Sequence, residues 1–314
     1  MLNRRHIRIK VMQTLYAFDG TESDDFKKDE KFLLQSLENM YDLYLMQLSL
    51  LVEIQKRAED HQGKIQKKHL ATQEEKNPNR KFVNNEILQL LKNDQALKNE
   101  LEKRKIDFWY LDFEYVDIIY KSILESELYK EYMSTKTSDF KEDRHFIVDM
   151  FSEIIAPNNK LYDYIEDKKL TWIDDLPVIN TIIQKLLRKA KMDSPPNFFT
   201  PKLYKDLDDR DYAVELFKKT LLNRSKLNEE IAQKTVNWDS ERIANVDAII
   251  LQMAICEFQK FPSIPVKVTI NEYLEIAKEY STPKSSFFIN GILDKIVKEY
   301  TEEGKLNKIG RGLM

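Results

Sequence analysis

Apolar residues recur along most of this chain at steps of three and four, the period of helices that bury one face. In the opening stretch, read as a helix, Ile7, Val11, Leu15 and Phe18 form such a stripe. After a polar break from Gly20 to Asp29, Leu34, Leu37, Tyr41, Tyr44, Leu48 and Leu51 follow alternating steps of three and four, as in a helix packed lengthwise on a neighbour. The charged stretch from Lys56 to Lys81, with Gly63 and Pro78, reads as a frayed extension followed by a mobile linker. A further helix is expected from Asn84 to Lys103. Beyond it, Phe108-Trp109-Tyr110, Phe113, Tyr115, Tyr120, Tyr129 and Tyr132 offer rings for stacking on bases. Asp107, Asp112, Glu114 and Asp117 interleave with them and would repel a phosphate backbone, so these rings are expected to pack between helices.

The pattern then repeats. Asp143–Trp172 laid over Asp209–Trp238 at a constant offset of 66 gives nine identities in 30 positions, among them Asp143 with Asp209, Phe151 with Phe217, Leu161 with Leu227, Ile165 with Ile231 and Trp172 with Trp238. A further shift of two aligns Val178, Ile182 and Gln184 with Val246, Ile250 and Gln252. This is the signature of a duplicated helical hairpin. The copies are separated by Ser194-Pro195-Pro196 to Pro201, which breaks any helix. Helices are then expected over 209–222, 226–234 and 242–259, the last with a core stripe of Val246, Ile249, Ile250, Met253 and Ala254.

Two amphipathic helices close the pattern, with Val266, Ile270, Leu274 and Ala277 on one and Ile289, Ile292, Leu293 and Ile296 on the other. The joint between them, Ser281 to Ser286, lets Thr282 cap the second helix with Pro283 at its first position. Helix-start N–H groups, Lys284, Phe287 and Phe288 together cater for phosphate and base. Gly291, inside the second helix, is expected to allow close backbone approach by a neighbouring helix or by RNA.

Composition narrows the chemistry. Only six glycines leave no glycine-rich phosphate loop or dinucleotide fingerprint. The single cysteine, Cys256, excludes an internal disulfide or a cysteine-rich zinc site, and it is expected to be a buried core residue. His61 and His69 lack metal-ligating company. An enzyme is not expected, nor a cofactor. The absence of a long apolar run or signal peptide predicts a soluble, cytoplasmic protein with no membrane partner. The net charge of -3 denies a globally basic nucleic-acid binder but allows a local patch. One candidate is the opening helix, where Arg5, Arg8, Met12 and Tyr16 share a face beside the core stripe and combine cations with a ring. An ordinary solvated helix has the same composition. The tail from Lys305, with Lys308 and Arg311 and no acid, suits nonspecific phosphate attraction or a disordered end.

Three blocks in order resemble the NusB family. They are RRHIRIKVMQTLY, the run from Val246 to Phe258 with Ala254 and Glu257, and a final block built from Ile270-Asn271-Glu272, Ala277-Lys278 and Phe288-Ile289-Asn290-Gly291-Ile292-Leu293-Asp294-Lys295. The resemblance implies an all-α protein, a NusB-like helical bundle enlarged by an inserted, partly duplicated helical segment. Residues 1–19 and 209–300 would form the core, 20–208 the insert with a degenerate copy at 143–184, and 301–314 a tail.

By the same resemblance the protein would be a transcription antitermination factor. It would bind boxA-type single-stranded RNA of ribosomal RNA transcripts together with ribosomal protein S10 (NusE), join the RNA polymerase elongation complex with other Nus factors, and suppress premature Rho-dependent termination. The implied RNA-binding positions are Arg4, Arg5, Arg8, Tyr16, Tyr212, Lys284, Ser286, Phe288 and Asn290. The chain departs from the family pattern at His6, where arginine is common, at Lys284, where acids are common, and at Thr269 and Tyr273, whose bulk suggests that the insert packs there. A helical scaffold that binds only protein, or an RNA-positioning module like that of ribosomal RNA methyltransferases, would share much of the pattern.

Overall fold

The computed structural model describes residues 1–19, 26–70, 72–235 and 244–309, whose regular structure is all helical, with no strand among them. In chain order the helices are α1 (Arg4–Ala17), α2 (Phe26–Gln66), α3 (Gln73–Lys76), α4 (Glu86–Asn93), α5 (Gln95–Arg104), α6 (Phe108–Leu111), α7 (Phe113–Glu125) and α8 (Glu127–Tyr132). There follow α9 (Phe140–Met150, continued by a π-turn Phe151–Ile155), α10 (Asn159–Lys168), α11 (Trp172–Lys189), α12 (Leu207–Leu222), α13 (Arg224–Lys234), α14 (Asn245–Lys260), α15 (Val266–Tyr280) and α16 (Ser285–Glu302). They form two compact units, Met1–Leu37 with Tyr204–Met314, and Glu38–Leu203.

The first unit is built on α14. Every residue from Ile249 to Phe258 is buried, as in a helix surrounded on all sides. It packs against α1, α12, α13, α15 and α16. Cys256 lies in this interior, where burial pushes its thiol up to about 11, out of nucleophile range at neutral pH. The stripe of α1 is buried through Ile7, Val11 and Leu15. Phe18 is instead the C-cap residue and meets the Phe32 ring edge-on at 5.4 Å.

The tail differs from both expectations at Lys308. Its side chain is buried, and Nζ donates to the carbonyls of Glu257 and Phe261 at 3.1 and 2.9 Å, while the Ile309 N–H donates to the Pro262 carbonyl. Lys308 thus satisfies carbonyls at the end of α14, where a helix lacks internal donors and favours positive charge. Lys308→Met is expected to lower stability by about 1.5–3 kcal/mol, the range for a hydrogen bond to a charged group. The control Lys305→Met, at an exposed residue, should leave the urea midpoint unchanged. Arg311 lies outside the described residues.

The second unit is centred on the later part of α2, where Leu43, Tyr44, Leu45, Met46, Leu48, Leu50 and Leu51 are fully buried. The expected frayed segment is still helix to Gln66, and Lys81 beyond it is buried against Glu142 and Thr135. The single helix expected over 84–103 is broken at Asp94, whose carboxylate accepts from Leu97 N–H at 2.8 Å and so starts α5.

Two helices of each proposed copy correspond in order. α9 and its π-turn correspond to α12, and α10 to α13. Phe151 and Phe217, Leu161 and Leu227, and Ile165 and Ile231 are buried in both copies. In the third helix Ile250 is fully buried and Ile182 half-buried, while the buried Ile179, Ile183 and Leu187 stand opposite the buried Asp247, Leu251 and Ile255 at the same offset. The pair Trp172 and Trp238 is not comparable, because Trp238 lies outside the described residues.

Candidate nucleic-acid interface

α1 begins with a reciprocal cap. Asn3 Oδ1 accepts from His6 N–H at 3.0 Å and His6 Nδ1 accepts from Asn3 N–H at 3.4 Å, which gives the unusual histidine a structural task. The arginines that follow are all engaged. Arg4 Nε donates to Asp209 at 3.0 Å, with its guanidinium 5.0 Å from the centre of the Tyr212 ring. Arg5 forms a bidentate pair with Glu272 on α15, both bonds at 2.9 Å, and these bonds are the main reason its pKa is raised.

Arg8 departs from the expected surface. It is 2% exposed and donates twice to Glu257 of α14, at 2.9 and 2.8 Å. Glu257 also accepts from Tyr212 on α12 at 2.7 Å and from Thr269 on α15 at 2.6 Å, with the Tyr273 hydroxyl at 3.3 Å. Burial alone would raise the Glu257 carboxyl pKa, but Arg8 and these hydroxyls hold it below the ordinary carboxylate value. Arg8 and Tyr212 are therefore interior bolts joining four helices and present nothing to a ligand. Thr269 and Tyr273 both direct their hydroxyls to the same carboxylate. Met12 is buried too, so Arg5 and Tyr16, the latter 52% exposed, are separated on α1 by interior residues.

The joint before α16 is organised from α14. Asp247 accepts from Ser281 at 2.5 Å and from Ser285 at 2.7 Å. Helix α16 starts at Ser285 with Lys284 as its N-cap residue and no side-chain cap. Thr282 instead bonds the Ser285 hydroxyl, and Pro283 precedes the helix. Neither takes its expected position, because Ser285 is drawn inward by Asp247.

Beyond the joint, Lys284, Phe287, Phe288, Gly291, Ile292 and Lys295 line an open, mainly apolar depression of about 400 Å³. Phe287 is 81% exposed and Phe288 half-buried. A Cβ added at Gly291 would meet nothing within 4 Å, so no neighbouring helix approaches it and its open side belongs to the depression. No carboxylate pairs with Lys284 or Lys295 among the described residues, in contrast to the arginines of α1. Ser286 is half-buried, and Asn290 donates along the helix to Asp294 at 3.1 Å instead of ordering the helix start. The structure thus brings Phe288 and Asn290 onto one helix with Lys284 at its N-cap, and Arg5 pairs with Glu272 of α15, which packs on α16.

Phe287 and Lys295 complete this depression, although neither is among the positions implied by resemblance. Phe287 was legible as an aromatic at the joint. Glu257 and Glu272 stood in the resembling blocks, but their pairing with the arginines had no sequence signal, since an exposed and a buried glutamate look alike in a helical pattern. Among the described residues no cluster of histidine, cysteine or carboxylates could hold a metal ion, and no helix is long and apolar enough to cross a membrane.

The NusB family model matches residues 201–298. The chain is 44% identical to the transcription antitermination protein NusB of Salinibacter ruber over 112 residues, 36% of this chain and 70% of that protein. It is 37% identical to that of Chloroherpeton thalassium, over 41% of this chain and 61% of the relative, and 41% identical to that of Koribacter versatilis, over 32% and 70%. A solved structure of T. maritima NusB is 30% identical, covering 39% of this chain and 86% of its own, with a TM-score of 0.31, too loose a superposition to define the fold. The identity over most of the length of two of these relatives means that the chain belongs to the NusB family.

Proposed function

We propose that the protein acts in transcription antitermination by holding boxA-type single-stranded RNA of ribosomal RNA transcripts. It would do so with ribosomal protein S10 (NusE), within the elongation complex of RNA polymerase and other Nus factors, and suppress premature Rho-dependent termination. The relatives' name supports the general role. The observation that carries the RNA reading is the α16 depression, lined by the exposed Phe287, the half-buried Phe288 and two lysines without carboxylate partners among the described residues. Rings stack on any base and free cations contact phosphate, so the pairing suits an unpaired strand. Tyr16 offers a further ring. Arg4 and Arg5 reach phosphate only by exchanging Asp209 and Glu272, so each adds less than Lys284 does.

Phe288→Ala is expected to weaken binding of a boxA-type RNA oligonucleotide by about 1–3 kcal/mol, roughly 5- to 150-fold. Lys284→Ala should reduce the slope of log affinity against log salt by about 0.7. Both can be read by fluorescence anisotropy with and without ribosomal protein S10. Unchanged affinity and slope in the folded double variant would remove the depression from the RNA surface. The protein-only scaffold gains from the neutralisation of Arg4, Arg5 and Arg8, and it predicts that the S10 complex retains no RNA.

A further inference from the structure

We infer that the outer face of α6 and the start of α7, in the second unit, is a docking surface for a basic, apolar-striped helical segment of a partner protein. The underside of this joint is firmly held. Trp109 is buried, and its Nε1 donates to the Met46 carbonyl and the Ser49 hydroxyl, both at 3.0 Å. Asp112 accepts from Tyr164 at 2.8 Å and pairs with Lys168 at 2.8 Å, while the Tyr115 ring lies 4.3 Å from that of Tyr164. Phe108 meets Trp172 edge-on at 5.9 Å. The aromatic segment expected to pack between helices does so only on this side.

On the other side Tyr110, Leu111 and Phe113 are 83%, 73% and 64% exposed. Large apolar side chains exposed together on a fixed base are uncommon on monomeric proteins and mark interaction sites. The edge formed by residues 107–117 is negative. Asp107 and Glu114 are exposed, neither has an ion pair among the described residues, and no lysine or arginine occurs from Asp107 to Asp117.

An apolar centre with acidic edges complements an apolar stripe flanked by lysine or arginine. The same edges repel a phosphate backbone. They also disfavour a second copy of this chain, because a two-fold contact sets each acid near its own counterpart. The face lies outside residues 201–298, and the inference is independent of the RNA reading.

The test uses the full chain and two fluorescein-labelled synthetic peptides. One has leucines at i, i+3, i+4 and i+7 flanked by lysine and arginine, and the other carries glutamate in place of the cations. The basic peptide is expected to bind at least about tenfold more tightly than the acidic one. Leu111→Ser with Phe113→Ser should weaken binding by about tenfold or more while leaving the far-ultraviolet circular dichroism and unfolding midpoint unchanged. Asp107→Lys with Glu114→Lys, at exposed positions that do not threaten folding, should reverse the peptide preference. Equal binding of both peptides, or indifference to the charge reversal, overturns the inference. So does a sedimenting dimer that the serine variant abolishes while the basic peptide fails to bind, or protection of this face by single-stranded RNA.

Discussion

Arg8→Ala is expected to lower the stability of the first unit by about 3–5 kcal/mol, the cost of leaving a buried charge without its partner. Glu257 would keep a carboxylate that is fully buried on the central helix, with hydroxyls as its remaining donors. Against a total of about 5–15 kcal/mol for a typical domain, this is enough to populate unfolded molecules measurably. Urea unfolding followed by circular dichroism gives the shift directly, and a variant with the wild-type midpoint would show that the bolt contributes nothing. Replacing both partners, Arg8→Met with Glu257→Leu, should recover part of the loss. Tyr212 and Thr269 would then lack their acceptor, so recovery stays incomplete. The same carboxylate sets an acid limit. Its folded pKa is depressed, so its contribution is present above the unfolded carboxylate value and disappears as pH falls through the folded one. Arg8→Ala should accordingly flatten the acid limb of the stability profile.

The repeat offers the second large effect as a contrast. Asp143→Ala is expected to cost about 2–4 kcal/mol and Asp209→Ala less than about 1 kcal/mol, although the two residues occupy equivalent places in the copies. Asp143 accepts from the buried Tyr132 hydroxyl at 2.5 Å and from the first N–H of α4, Glu86 N, at 2.7 Å. Its loss strands both donors. Asp209 pairs with Arg4, whose side chain is 42% exposed and can return to water. Hydrogen exchange localises the difference, since Asp143→Ala should release protection in α4, α8 and α9. Equal losses for both substitutions would show that the copies kept one function for this aspartate.

Helix after helix could be read from apolar spacing because burial of one face imposes that spacing directly. The all-α class and the in-register start of the repeat follow from it. What spacing leaves open is the meaning of a polar residue beside the stripe. Arg5 and Arg8 look equivalent in the opening pattern, yet one pairs at the surface and the other lies inside, because that choice depends on Glu272 and Glu257 more than two hundred residues away. The break at Asp94 was hidden for a different reason: an aspartate amid helix formers signals a cap only once the chain turns there. Phe113 and Trp109 likewise share one aromatic run, and only the three-dimensional position of Met46 and Ser49 decides which ring is covered.

The bolt also constrains how this protein is made. Arg8 is separated from Glu257 by 249 residues, and Arg5 from Glu272 by 267. At roughly 5–20 residues per second, the opening helix therefore waits on the order of 10–50 s after synthesis before its buried charge meets a partner. Residues 38–203 are finished well inside that interval, so the second unit can complete its core while α1 is still waiting for its own. During that delay α1 is an unsheltered segment with an apolar stripe and several cations. A helix made before its partners is thus held back until α14 and α15 exist.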